Sequence, residues 1–212
     1  MRFKQLSRAL SSALIFGLSS LLVAPLVGQS LPTASRGLVP SAFGGITGAY
    51  TGIYGSRNLG VTAGLDLGFR PFFGLLPSVE VRGTYPVDNG SVVGEEHAEG
   101  GLRVQKRFGP FRPYVDFLFG RGELNYQNGG LAVPMQAFRY VQTTSNVLSP
   151  GLGVEADISP KLAILFDGQA QIWSVPFDPS GQTSNSGHIV AFPGTIGVVY
   201  RFGWLQHGHP AP

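Results

Sequence analysis

The charged side chains with the most chemical potential in this chain recur at even spacings: Glu80 with Arg82, His97 with Glu99, Glu155 with Asp157, and Asp66, Arg103, Asp116, Asp167 and Arg201 in similar surroundings. A spacing of two puts both members of a pair on one face of a β-strand. Glu155 and Asp157 are therefore neighbours of the kind a glycosidase uses as paired acids, but with arginines among them, ion pairing is the simpler chemistry. A hydrolytic set of a second kind lies in Ser184, Ser186 and His188, together with Glu95, Glu96, His97 and Glu99. Serine, histidine and acid can form a nucleophile relay when they converge. They are also ordinary polar loop content, and no catalytic residue is assigned. His207 and His209 supply two imidazoles without a third ligand, and Gly151-Leu152-Gly153 has no helix after it, so neither a metal nor a cofactor is expected.

The elements that position these charges follow from composition. The chain has 31 Gly, 16 Pro, 43% hydrophobic and only 13% charged residues, with no cysteine, which excludes an ordinary charged-surface soluble domain and any thiol or disulfide chemistry. A mean hydropathy of +0.14 excludes disorder. Three of the 15 basic residues, Arg2, Lys4 and Arg8, precede an uncharged run from Ala9 to Val27. That order reads as a secretory signal peptide over 1–30, cleaved between 28 and 35, in preference to a membrane anchor, for which Ser11, Ser12, Ser19, Ser20 and Pro25 make the run poorly hydrophobic. The remaining 12 basic residues balance the 12 acidic ones, so there is no electrostatic footprint for nucleic acid.

From Leu59 to Arg70 the sequence alternates strictly, placing Leu59, Val61, Ala63, Leu65, Leu67 and Phe69 on one face and Gly60, Thr62, Gly64, Asp66, Gly68 and Arg70 on the other. This is a half-buried strand. The grammar returns near 42–54, 75–85, 96–107, 113–124, 146–158, 162–173 and 189–202, giving eight strands, the first of ambiguous facing. The polar faces hold Gly, Thr, Ser, Gln and isolated charges, and after the leader only Lys106 and Lys161 are lysines. A soluble surface is richer in charge. The polar face is therefore expected to line a lumen and the apolar face to meet lipid, the reverse of a soluble lipocalin-like barrel.

Connections near 70–74, 108–112 and 158–161 are short, and those near 86–95, 125–145 and 174–188 are long; Gly55 to Asn58 departs from the alternation. Strand parity puts the short set at one rim and the long set at the other, as in barrels with short periplasmic turns and long outer loops. Phe69, Phe72, Phe73, Phe108, Phe111 and Tyr114 beside the short turns read as an interfacial girdle or as a plug of the barrel bottom. In the long loops Met135, Phe138, Tyr140 and Phe177, with Trp173 carried in the third of them, offer surface contacts, or extend a wall above the membrane or pack over its mouth.

Taken together, the leader, the eight period-two segments, Arg112-Pro-Tyr-Val-Asp116 and the closing Thr195, Gly197, Tyr200 and Phe202 resemble the small OmpA-like, porin-family outer-membrane β-barrels. The resemblance covers about 42–203 and is one of architecture. It implies an all-β, eight-stranded, antiparallel, up-and-down transmembrane barrel, preceded by a linker at 31–41 and followed by a tail at 204–212. It also implies residence in the outer membrane of a Gram-negative-type envelope, in contact with its lipid. Gly197, Tyr200 and Phe202 match the signal that the barrel-assembly machinery reads in that family, although here ten residues follow Phe202. Asp66, Glu80, Arg82, His97, Glu99, Arg103, Arg107, Asp116, Glu155, Asp157, Asp167 and Arg201 are expected to form an internal ion network that closes the lumen. The role expected is that of a non-enzymatic, monomeric scaffold or surface-binding protein. A small solute channel and, further off, a lipid-modifying enzyme are the alternatives.

Overall fold

The computed structural model describes residues 38–51, 56–90, 93–132, 139–176 and 187–202. The expected signal peptide and the tail from 204 lie outside these residues. The strands are β1 (Val39–Tyr50), β2 (Arg57–Gly68), β3 (Leu75–Asp88), β4 (Val93–Lys106), β5 (Phe111–Tyr126), β6 (Leu131–Ala132), β7 (Arg139–Tyr140), β8 (Gln142–Asp157), β9 (Leu162–Gln169), β10 (Gln171–Val175) and β11 (Gly187–Arg201). Neighbours are antiparallel throughout, and β1 pairs with β11 from Ser41↔Arg201 to Tyr50↔Phe192, so the sheet closes on itself. β9 and β10 lie end to end between β8 and β11, interrupted at Ala170, whose N–H donates to the Pro150 carbonyl at 2.9 Å. Among the described residues the wall thus has eight staves, while β6 and β7 form a separate small hairpin at the long-loop rim.

Alternation fixes the facing. Val61, Leu65, Val81, Phe117, Phe119, Phe166, Ile196 and Val198 point outward and are exposed, whereas Asp66, Glu80, Arg82, Arg103, Asp116 and Glu155 are buried inside. Leu65 is 57% exposed and Glu80 is 0% exposed, the opposite of a water-soluble barrel. This inversion defines the fold as that of a transmembrane β-barrel. The ambiguity of the first strand resolves with Ser41, Phe43 and Thr47 inward and Ile46 and Tyr50 outward.

The short turns obey hairpin chemistry. Phe72 and Leu75 bond to each other across Phe73 and Gly74, both at positive φ (50° and 74°), as a two-residue type I′ loop demands. In the next hairpin Phe108 and Phe111 bond across Gly109 and Pro110, and Gly109 takes the positive φ of 59°. Such loops match the twist of the flanking strands.

At the other rim the strands run further than the periodicity predicts. β4 begins at Val93, β5 continues to Tyr126 and β8 starts at Gln142, because cross-strand pairing persists through Val93↔Tyr126 and Asn125↔Gln142. The reason is an apolar cluster inside the upper barrel: Val93, Leu124, Tyr126, Val147, Trp173, Val175, Ile189 and Ala191 are all buried against one another. The residues expected as loop content at these strand ends are barrel wall. β1 likewise begins at Val39, inside the stretch expected to be a linker.

Candidate functional site

The lumen below the apolar cluster is filled by an ion network built from inward positions of seven staves. Arg82 on β3 is its hub: Nε donates to Glu80 Oε1 at 2.6 Å, Nη1 to Asp167 Oδ1 at 2.7 Å and Nη2 to Asp116 Oδ2 at 3.3 Å. Arg103 on β4 bonds to Glu155 and reaches Glu80 Oε2 at 3.4 Å, while its guanidinium carbon lies 3.5 Å from the centre of the Tyr114 ring. Arg201 on β11 bonds to the second oxygen of Glu155 and to Asp157 Oδ1 at 2.8 Å. A chain of shared carboxylates therefore runs from Asp167 through Arg82, Glu80, Arg103, Glu155 and Arg201 to Asp157.

Seven carboxylates are buried among the described residues (Asp66, Glu80, Glu95, Glu99, Asp116, Glu155, Asp167) against three arginines. Neutral donors make up much of the shortfall. Ser78 donates to Asp66 at 2.7 Å, Tyr114 Oη to Asp167 Oδ2 at 2.7 Å, and Gln169 Nε2 to Asp116 at 3.0 Å and to Asp167 at 3.1 Å. Ser149 donates to Glu99, and Gln171 Nε2 reaches Glu99 Oε2 at 3.4 Å and the His97 ring at 2.9 Å. Beside this runs a belt of hydroxyls, Thr195 to Thr47 at 2.8 Å, Thr47 to Thr62 at 2.5 Å and Thr62 to Thr84 at 2.8 Å, crossing four staves. Charge-assisted bonds between buried groups are the strong ones.

Glycines make room for the largest interior groups. Tyr114 stands directly opposite Gly153, where a Cβ would collide with its phenol ring, and Trp173 occupies the space a side chain at Gly122 would need. Trp173 meets His97 edge to face at 5.8 Å.

The ten carboxylates and arginines assigned to the ion network by alternation, Asp66, Glu80, Arg82, Glu99, Arg103, Asp116, Glu155, Asp157, Asp167 and Arg201, all project into the lumen or its lower mouth. Arg107 does not: its side chain is 63% exposed at the short-turn rim, because β4 ends at Lys106. Arg112 was missed. It holds Asp157 Oδ2 at 2.9 Å, and its position two before Tyr114 on the inward face of β5 is the signal that could have found it. Trp173, read as loop content, is instead fully buried within the wall. Tyr140 sits in β7, half-buried against the upper apolar cluster. Met135, Phe138 and Phe177 lie outside the described residues.

Gly197 lies at the seam opposite Gly45, where a Cβ would press into the Gly44 carbonyl, and Tyr200 and Phe202 are outward-facing rings stacked edge to face at 5.2 Å. As for the alternative chemistry, Ser149 donates to Glu99 rather than to a histidine, Glu96 faces outward, and Ser184 and Ser186 lie outside the described residues. Among the described residues no three His, Asp or Glu are arranged around a metal position.

These features define a class: a membrane-type β-barrel with a packed, ion-paired lumen. No protein-family model and no curated relative matches the chain. Solved structures do. Neisserial surface protein A is similar at 15% identity with a TM-score of 0.45, over 78% of this chain and 97% of its own. The attachment invasion locus protein Ail of Yersinia pestis is similar at 12% identity and a TM-score of 0.45, over 79% and 99%. The outer membrane protein OprG from Pseudomonas aeruginosa is similar at 13% identity and a TM-score of 0.39, over 79% and 96%.

Proposed function

We propose that this chain is an integral outer-membrane protein of a Gram-negative-type envelope, a monomeric and non-enzymatic barrel whose ion-paired lumen makes it a rigid scaffold for surface interaction through its long loops. The observation that carries this reading is the inverted polarity. Apolar side chains such as Leu65, Phe117, Phe166 and Ile196 are exposed around the outside, while the charges are sealed within. In water such an exterior is an aggregation hazard, and in a bilayer it is the stable arrangement.

The long connections all leave from one rim. There β4, β5 and β8 project beyond the last apolar outward positions, since Glu96, Arg121 and Glu123 replace Phe119 and Leu102 on the outer face. The upper apolar cluster braces this extension from inside. Recognition by residues on those loops, Met135, Phe138, Tyr140 and Phe177 among them, is the role such a scaffold supports. The seam glycine and the rings of Tyr200 and Phe202 suit the C-terminal strand to handling by the barrel-assembly machinery. Fractionation tests the reading: the protein is expected in the outer membrane, migrating differently on gels with and without heating, and protease added to intact cells should cut the long connections. Recovery as a soluble periplasmic monomer would overturn it.

A further inference from the structure

Charge is distributed unequally between the two rims. Residues 69–75, 106–112 and 157–162, which make up the three short turns and their flanks, carry Arg70, Lys106, Arg107, Arg112 and Lys161 against a single carboxylate, Asp157. Both lysines that follow the leader are among them. Between the second and third of these turns lies a cavity of about 370 Å³ lined by Arg107, Arg112, Asp157, Ser159 and the turn residues Gly109 and Pro160.

The bonding around Asp157 leaves this cavity positively charged. Its Oδ1 is taken by Arg201 at 2.8 Å, and its Oδ2 is shared by Arg112 at 2.9 Å and, without hydrogen-bond geometry, by Arg107 at 3.8 Å. Arg201 is also engaged by Glu155 inside the lumen. Arg112 and, from the short-turn rim, Arg107 thus answer to one carboxylate oxygen. Arg107 Nε donates to the Gly109 carbonyl at 3.2 Å, which anchors the side chain and leaves its two terminal nitrogens without a hydrogen bond among the described residues. Ser159 Oγ accepts the N–H groups of Lys161 and Leu162 at 3.3 and 3.1 Å, so its own proton is available to donate. Arg112 gives Nε and Nη2 to Asp157 Oδ2 at 3.1 and 2.9 Å and keeps Nη1, so the terminal nitrogens of Arg107, Nη1 of Arg112 and the Ser159 hydroxyl, under net positive charge, match the oxygens of a tetrahedral oxyanion.

We propose that this cavity is a binding site for a phosphate group, held by Arg107 and Arg112 with Ser159 as a further donor. The exposed rings of Phe108 and Phe111, in the turn that contributes Gly109 and Pro110 to the cavity, mark the level where an apolar exterior gives way to water. If the barrel spans a membrane as proposed above, that level is also the level of lipid phosphates. The site itself rests on charge and shape alone; only a lipid origin for the phosphate rests on the membrane reading.

The test uses the full chain, folded in detergent. Inorganic phosphate titrated at constant ionic strength should raise the midpoint of heat-induced unfolding saturably, and chloride should not. Arg107→Gln should weaken the apparent affinity about tenfold, equivalent to roughly 1.4 kcal/mol. Asp157→Asn, which removes the competing carboxylate, should tighten it; if that variant does not fold, the parent and Arg107→Gln decide alone. Equal responses to phosphate and chloride, or an Arg107→Gln variant indistinguishable from the parent, would overturn the site. Native mass spectrometry identifies the source: retention of phosphatidylglycerol but not diacylglycerol, lost in Arg107→Gln, assigns a lipid phosphate. Phosphate protection without lipid retention upholds the site for a soluble phosphate and rejects the lipid.

Discussion

Arg82 and Asp167 stand on opposite walls of the barrel, four staves apart in either direction, and meet at 2.7 Å. Their contact crosses the full width of the lumen. With Glu80 and Asp116 on the same guanidinium, the pair stands in the middle of the lumen, where a solute would have to pass. An eight-stranded barrel is just wide enough for its interior side chains to fill, and here the filling is ionic at mid-height and apolar above.

Removing the hub should be expensive. Arg82→Met leaves Glu80, Asp116 and Asp167 facing one another without their shared counter-charge, and breaking a buried pair in this way costs about 3–5 kcal/mol. Urea unfolding of the barrel, followed by its heat-modifiable migration, measures the loss. A change below about 1 kcal/mol would mean that the lumen is hydrated enough to screen these charges.

The outer face makes the opposite demand. Leu65→Arg and Phe166→Arg each place a charge among outward apolar residues, at a cost of roughly 2–4 kcal/mol near the bilayer midplane. Refolding into lipid vesicles should show the loss for both, whereas Thr144→Arg, outward and paired with Glu123, itself opposite Glu96, should be tolerated. Equal tolerance at all three positions would refute the assigned facing.

Glu95 is buried beside the upper apolar cluster, with Oε1 lacking a hydrogen-bond partner among the described residues. An unpartnered carboxyl is costly to bury. Glu95→Leu should therefore stabilise the barrel by about 1–2 kcal/mol, read as a higher unfolding midpoint. Destabilisation would instead assign that oxygen a partner worth keeping.

At the seam, Gly197→Ala drives a methyl group into the Gly44 carbonyl of β1, while Gly194→Ala meets nothing closer than 3.8 Å. Overpacking of the first kind costs about 1–3 kcal/mol. Gly197→Ala should slow or reduce assembly into heat-modifiable form and Gly194→Ala should not; matching yields from the two would show that the glycine is not needed for closure.

What was legible in the sequence was what alternation alone encodes. Leu59 to Phe69 announced an outward face, and Asp66, Arg82 and Asp167 an inward one, because period two assigns a face without knowledge of any partner. Who bonds to whom was not legible. Arg82 and Asp167 are 85 residues apart and meet only once the ring has closed. The upper cluster escaped for a related reason: Trp173, Val147 and Leu124 are apolar residues on the inward face, and a rule that equates inward with polar reads them as loop or misses them. Strand ends failed likewise at Val93 and Gln142, where pairing is sustained by that cluster and not by local pattern.

The closed lumen is tested most directly by planar-bilayer recording from purified protein whose folded state has been verified by heat-modifiable migration. With the Arg82–Asp167 ion pair spanning the lumen, no steady conductance is expected from the parent protein at any applied voltage that the membrane survives. Reproducible open channels of uniform size from that same preparation would contradict the plugged barrel and make the protein a small porin.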